Sequence, residues 1–325
     1  MSDKEACVCI DHAYIKSMSN IVTKYIEKIK HEQLNVFDER YYPPSSSDLE
    51  TTLRYFLVVV ALDHRLSRPG KPYEACLEDG CYHGADLLYR IARKILDENP
   101  RFYDPHVLSN LRVDEFTKYF NVKEATVPDP EVRTLLLRDI GVKLLKLYDG
   151  NAENIIKISG NRLKGSLGKP GLIDLLRVFR AYEDPVEKKL FLLAKFLEAR
   201  GIIKVNDIEE KEVPVDNHLT RIALRTGIVS VYGVLWDKIR ENKPVSWEED
   251  ILLRLSVRKA YKIVSLEAGI DPFLLDDFLW VFGRKACYRD EEPRCNECIF
   301  KEFCKAYRNA EYMVSEHYYY DTWYY

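Results

Sequence analysis

Residues 278–307 read FLWVFGRKACYRDEEPRCNECIFKEFCKAY, and within them Cys287, Cys295, Cys298 and Cys304 stand at C-x7-C-x2-C-x5-C. Spacings of two and five residues let a short chain curl round one metal centre, and soft thiolates select zinc, copper(I) or iron-sulfur. Zinc held by four cysteines usually comes from two separated C-x2-C knuckles, whereas here one C-x2-C stands beside two ligands on unequal arms. That asymmetry favours a [4Fe-4S] cluster, with zinc as the lesser alternative. Four reduced core cysteines are a poor alternative, because the residues between them (YRDEEPR, NE, IFKEF) are mostly polar. Cys7, Cys9, Cys76 and Cys81 lie far upstream, and buried thiols are the expectation for them.

Outward from this loop, the chain has 325 residues, 46% hydrophobic and 31% charged. These are globular proportions, with length enough for one or two sizeable cores. No run approaches the roughly 18 uncharged apolar residues of a bilayer span, so no membrane partner is expected. Lys and Arg number 49 against 52 Asp and Glu, a net charge of -3. This excludes a uniformly basic nucleic-acid coat and requires any polyanion site to be focused. The N-terminus, MSDKEACVCIDH, lacks the apolar core of a signal peptide. A reducing cytoplasm is the expected location, nucleoid-associated in a prokaryote.

Helical periodicity dominates and β-branched alternation is nearly absent, which predicts an all-α fold. In IKSMSNIVTKYIEKI, Ile15 to Ile29, the apolar positions fall on one stripe of an amphipathic helix. YYPPSSSD at 41–48 reads as a linker ending in a helix start, and the apolar FLVVVAL after it marks a central core helix from about Leu49 to Leu66. Further helices are expected at Gly84–Asp97, Ser109–Phe120, Glu131–Leu147, Ala152–Ile158, Gly171–Ala181, Pro185–Arg200 and His218–Thr226. Ser246 with Glu249 makes a capping box, and Asp271-Pro272 starts a last long helix towards Gly283. The aromatic tail YMVSEHYYYDTWYY could stack bases, but Glu316 and Asp321 among the rings favour a tail folded back on the protein or disordered.

In the cysteine loop, Gly283-Arg284 before Cys287 and the Pro293-Arg294-Cys295 step resemble the endonuclease III branch of the helix-hairpin-helix DNA glycosylases. The loop departs from that family in its first interval, seven residues rather than six, and in carrying Asp290, Glu291 and Glu292 where the family is usually basic. VPVDNHLTRIALRTGIV is similar to the family's VDTHxxRVxxR segment, which implies that Asp216 is the catalytic aspartate. The residues themselves make Asp216 the N-cap of a helix bearing His218, Arg221 and Arg225, and the two roles are compatible, since capping amides and the helix dipole keep the carboxylate ionised. LYDGNAENIIKISG resembles the family's AENI helix, and LRYFLVVVALDHRL its first core helix. The resemblance covers roughly residues 46–308. It implies a two-lobed fold with a C-terminal cluster loop: 1–45 packing with the C-terminal lobe, a central domain at 46–212, a cluster lobe at 213–310 and the tail at 311–325.

The resemblance also places a nucleophilic lysine in AYEDPVEKKLFLLAKFL, with Lys188 aligned best and Lys189 next. An amine attacks only when neutral, which burial or a neighbouring cation would secure, and the helix's apolar face does not choose between the two. The family's glycine-rich hairpin is replaced by Tyr182-Glu183-Asp184-Pro185-Val186, which should bind phosphate less well. Between Gly160 and Lys204, ten basic residues still outnumber five acidic ones. His64 falls where the family inserts a wedge into the DNA stack, and Arg221, Arg225 and Arg284 complete the expected DNA-contacting set. The expected function is a DNA N-glycosylase, with or without lyase activity, acting as a monomer on damaged double-stranded DNA. Two alternatives stand: a non-catalytic iron-sulfur protein that binds nucleic acid, and an N-glycosidase for a modified nucleoside or RNA base.

Overall fold

A computed structural model describes residues 7–31, 33–68, 70–289 and 291–325; Asp290 lies outside them. In chain order the elements are β1 (Cys7–Ile10), α1 (His12–Lys24), α2 (Ile26–His31), α3 (Leu49–Leu62), β2 (Glu74–Leu77), β3 (Gly80–His83), α4 (Ala85–Glu98), α5 (Pro105–Ser109), α6 (Val113–Phe120) and α7 (Pro130–Leu147). They continue with α8 (Glu153–Ser159), α9 (Leu172–Leu176), α10 (Lys188–Ala199), α11 (Asn217–Thr226), β4 (Val229–Tyr232), α12 (Val234–Arg240), α13 (Trp247–Ala268), α14 (Pro272–Lys285) and α15 (Lys305–Arg308). The fold is mostly helical. The strands correct the all-α expectation: β1 pairs antiparallel with β4, Cys7 opposite Tyr232, and β2 pairs with β3. Strands of four residues are too short to display a period of two. Cys76 and Cys81 face each other across β2 and β3 and form a disulfide, and Cys9 is exposed, so the expectation of buried thiols fails for them. Among the described residues no helix is long and apolar enough to cross a membrane.

Two compact units divide the chain, Met1–Leu34 with Lys211–Thr322, and Asn35–Glu210 with Trp323–Tyr325. In the second, α3 is the central helix. The Asp48 carboxylate caps it by accepting from Thr51 N at 2.9 Å, and every side chain from Tyr55 to Leu62 is buried. It packs against α4, α7 and α10; the rings of Phe56 and Phe196 lie 5.6 Å apart. A fully buried side chain of this kind contributes about 1.5–3 kcal/mol. The single helix expected over Ser109–Phe120 is instead α5 and α6, parted at Asn110 to Arg112, where the Glu115 carboxylate accepts from Arg112 N at 3.0 Å and restarts the helix. Gly171–Ala181 shortens to α9 followed by a tight turn.

In the first unit, α1 packs on α13, and α11 on both α13 and α14. The expected helix over Ile15–Ile29 breaks at Tyr25, whose amide is shared between Ile21 O and Val22 O, yet Ile15, Met18, Val22 and Ile29 remain on one buried stripe. The capping box at Ser246 forms as expected: Glu249 N donates to Ser246 Oγ and Ser246 N to Glu249 Oε2. Tyr261 Oη on α13 donates to Leu219 O at 3.0 Å and ties α11 to the core.

Candidate active site

The C-terminal end of α3 gathers cations. A helix end leaves its last carbonyls without intrahelical donors and carries partial negative charge. Here Ala61 O accepts from Lys189 Nζ at 2.5 Å and Asp63 O from Lys188 Nζ at 3.2 Å. Arg133, fully buried on α7, donates to Leu62 O, to His64 O at 2.6 Å and to Pro128 O at 2.7 Å. The helix stops at Leu62 rather than Leu66 because side chains take the carbonyls that the amides of another turn would have bonded. Sequence reasoning missed Arg133, though a signal existed: it shares the buried face of α7 with Leu136, Leu137, Ile140 and Leu144, a charge written into an apolar stripe.

The two lysines differ in kind. Lys188 Nζ lies 3.4 Å from Asp63 Oδ2, an ion pair that suits a charged ammonium. Lys189 is wholly enclosed, and its Nζ meets Ala61 O and, at 3.0 Å, His64 Nδ1, with no carboxylate in hydrogen-bond range among the described residues. Burial, reinforced by the charges of Lys188 and Arg133, pushes the Lys189 pKa well below the usual lysine range. Lys189, ranked second by alignment, is therefore the lysine that burial pushes towards the uncharged form, whereas Lys188 is paired with Asp63. His64 is only 2% exposed, so the expected wedge is instead an enclosed partner of Lys189. Burial and the cations around it push its own pKa down.

The hairpin before α10 keeps a left-handed backbone without glycine. Glu187 takes φ 64° and ψ 25°, and its carboxylate pairs with Lys164 at 2.7 Å and with Arg177. A non-glycine residue here stores about 1–3 kcal/mol of backbone strain, offset by those pairs. The Asp184 carboxylate accepts from Val186 N at 2.9 Å and Lys188 N at 3.0 Å. The amides that could cradle a phosphate are thus filled by the chain's own carboxylate. The basic surface read from composition is also smaller than its count, since Lys188, Lys189 and Lys195 are buried.

Asp216 caps α11, accepting from Leu219 N at 2.9 Å, and is partly exposed. The arginines that follow turn inward. Arg221 pairs with Glu316 of the tail and donates to Cys287 O at 3.0 Å. Arg225 donates to Val314 O at 2.7 Å, to Tyr288 O at 2.6 Å and to Cys287 Sγ at 3.3 Å. Both are buried, which corrects their expected role: they brace the cysteine loop and tail and offer nothing to a phosphate. Arg284 is exposed, its guanidinium 4.3 Å above the Trp280 ring. Gly283 is required by packing, because a Cβ there would stand 1.9 Å from His218 Nε2. Burial and Arg221 lower the His218 pKa to about 4, so the ring against this glycine is neutral.

Among the described residues no group of three or more His, Cys, Asp or Glu is drawn together as metal ligands would be. The four cysteines are nonetheless the soft donor type that such a metal centre takes. The Cys298 and Cys304 thiols are pushed up first by burial, and the neighbouring cysteines add to the effect. Phe300 N donates to Cys298 Sγ at 3.4 Å.

Residues 192–313 match the sequence profile of the AGOG family, described as N-glycosylase/DNA lyase, and residues 42–187 match that of the queuosine salvage protein. A comparison with curated proteins finds no match. Among solved structures the chain resembles endonuclease III trapped covalently on DNA, at TM-score 0.50 and 12% identity over 90% of this chain and 94% of that one. It also resembles, at TM-score 0.45 and 14% identity over 90% and 97%, the 8-oxoguanine DNA glycosylase of Pyrobaculum aerophilum. The likeness to endonuclease III is one of fold, and the AGOG match covers 122 of the 325 residues, among them the Asp216 segment and the cysteine loop.

Proposed function

We propose that the chain is a DNA N-glycosylase with lyase activity that removes a damaged or modified base from double-stranded DNA. The enclosed Lys189 amine carries this reading: a lysine with no carboxylate partner among the described residues, depressed in pKa, is costly to fold around and suited to nucleophilic attack. The Nζ lone pair attacks C1′ of the sugar. The Nζ–C1′ bond forms as the C1′–base bond breaks, and the departing base takes the bond's electrons and a proton from the amine. Opening of the sugar ring then moves the second amine proton to the ring oxygen and leaves a Schiff base. Asp216, the N-cap of α11, stabilises the positive charge that develops on the sugar. Arg284 is the remaining candidate for phosphate contact.

The cysteines are proposed to hold a [4Fe-4S] cluster, with zinc as the alternative. Bound there, the cluster would brace the loop, since chemistry at the sugar needs no redox step. Iron near four atoms per chain, with brown colour, is expected from anaerobically purified protein; colourless protein carrying zinc would replace the assignment.

A second reading is favoured by the match of 42–187 to the queuosine salvage protein and by the Asp184 carboxylate filling the hairpin amides: an N-glycosidase acting on a modified nucleoside. Base release from a panel of damaged duplexes, run beside the corresponding free nucleosides and nucleotides, decides between the two. The duplex reading expects release from duplex only, and Asp216→Asn is expected to lower release by at least about a hundredfold, an effect on the order of 3 kcal/mol, while duplex binding persists. Nucleoside cleavage at equal rates would favour the second reading, and undiminished release by Asp216→Asn would remove Asp216 from the mechanism.

A further inference from the structure

The buried cluster at the end of α3 contains one group that the mechanism above leaves unused. His64 Nδ1 lies 3.0 Å from Lys189 Nζ, and His64 Nε2, also buried, meets no hydrogen-bond partner among the described residues. A buried polar atom left without a partner destabilises the fold.

A neutral amine has two N–H donors and one lone pair. At Lys189 the acceptor directions are fixed: Ala61 O stands at 2.5 Å and His64 Nδ1 at 3.0 Å. If both accept, both protons are spent and the lone pair alone is left to point elsewhere. If Nδ1 instead carried the proton, it would donate into the lone pair and block it. We propose that His64 is a positioning residue for Lys189, protonated on Nε2 and accepting at Nδ1, which leaves the amine's lone pair free for the substrate. This inference rests on the role proposed for Lys189.

The surroundings hold His64 in that neutral form. Burial lowers its pKa most, and Arg133 from α7 and Lys188 from α10 add to the effect. Asp63 and Asp184 act on Lys189 in the opposite sense and do not outweigh burial, Lys188 and Arg133. In the neutral ring Nδ1 accepts when the proton sits on Nε2. Arg133 fixes its position by bonding the backbone oxygen of His64 itself at 2.6 Å.

Borohydride trapping on damaged duplex as a function of pH tests this, because a merely structural histidine would change stability without moving the pH profile. His64→Asn keeps a carbonyl oxygen close to the place of Nδ1 and is expected to trap near the wild-type rate with an unchanged profile. His64→Leu keeps bulk but no acceptor. It is expected to trap about a hundredfold more slowly at neutral pH, as a displaced nucleophile does, and to recover partly as pH rises. His64→Leu trapping at the wild-type rate and profile would overturn the proposal, as would His64→Asn as slow as His64→Leu. Should thermal melting show His64→Leu unfolded, His64→Gln, which has no acceptor near Nδ1, takes its place with the same two outcomes. Lys189→Met distinguishes the underlying reading: if it still forms the trapped adduct, the nucleophile has been misassigned and His64 has nothing to position.

Discussion

Lys189→Met is expected to abolish the borohydride-trapped adduct and to lower base release by two decades or more, while the folded protein becomes no less stable. The two halves of this expectation have one cause. Burial depresses the Lys189 pKa, so between the folded and the unfolded value the unfolded chain holds a proton that the folded chain does not. Stability therefore rises with pH, from the depressed folded value up to the ordinary lysine value near about 10.4. Below the folded value both states are protonated and the full cost of the buried charge is present. Methionine has similar length, no charge and no proton to lose, so it removes the cost along with the nucleophile. What it forfeits is the bond to Ala61 O, about 1 kcal/mol net, and the pairing with His64. Thermal melts across pH 6 to 10 check the stability half: the wild type should gain stability relative to Lys189→Met as pH rises. A parallel pair of melting curves, or a variant that still traps, would show that the amine is charged in the fold or is not the nucleophile. Lys188→Met should behave differently, losing an ion pair to Asp63 rather than a neutral amine, and should retain the adduct.

Much of this was legible in the sequence, and the illegible part has a physical explanation. Caps and stripes are local: Asp48, Asp216, Ser246 with Glu249, and Asp271 all begin helices where the residue types say they should, because each N-cap bond closes within three residues. The cysteine spacing and the Asp216 segment are local too. The lysine site is not. Lys189 meets Ala61 and His64 from 125 or more positions away, and periodicity on α10 cannot say whether a lysine at the edge of the apolar face turns towards solvent or inward. The same limit explains the arginines on α11. Their spacing suits contacts to an external anion, yet the partners of Arg221 and Arg225 are the tail carboxylate of Glu316 and carbonyls of the cysteine loop. Glu187 is a different case: nothing in its type announces a left-handed backbone, and its conformation is held by Lys164 and Arg177.

The other large effect is expected at Arg133. This guanidinium is fully buried, and the bonds it makes go to carbonyls, Pro128, Leu62, His64 and Arg65, rather than to a carboxylate. Desolvation lowers its pKa to about 10, so it remains charged at neutral pH, its cost offset by those bonds and by the nearby carboxylates of Asp129 and Asp63. Arg133→Met keeps the apolar stem but orphans carbonyls at the end of α3, each worth about 1–3 kcal/mol when left buried and unpaired. The net loss should be on the order of 3–5 kcal/mol, or roughly 10 °C in Tm for a unit of this size. Arg133→Lys should recover little, since an ammonium cannot span carbonyls that the planar fork reaches from both edges. The functional consequence separates this site from an ordinary core position. The turn from Leu62 to Arg65 carries Asp63 and His64, and without Arg133 the acceptors that orient the Lys189 amine are no longer fixed. Residual folded Arg133→Met, measured well below its Tm, should therefore trap the sugar more slowly than wild type even after correction for the folded fraction. Full trapping per folded molecule would mean that Arg133 only stabilises, and that the geometry around Lys189 is set by α10 alone.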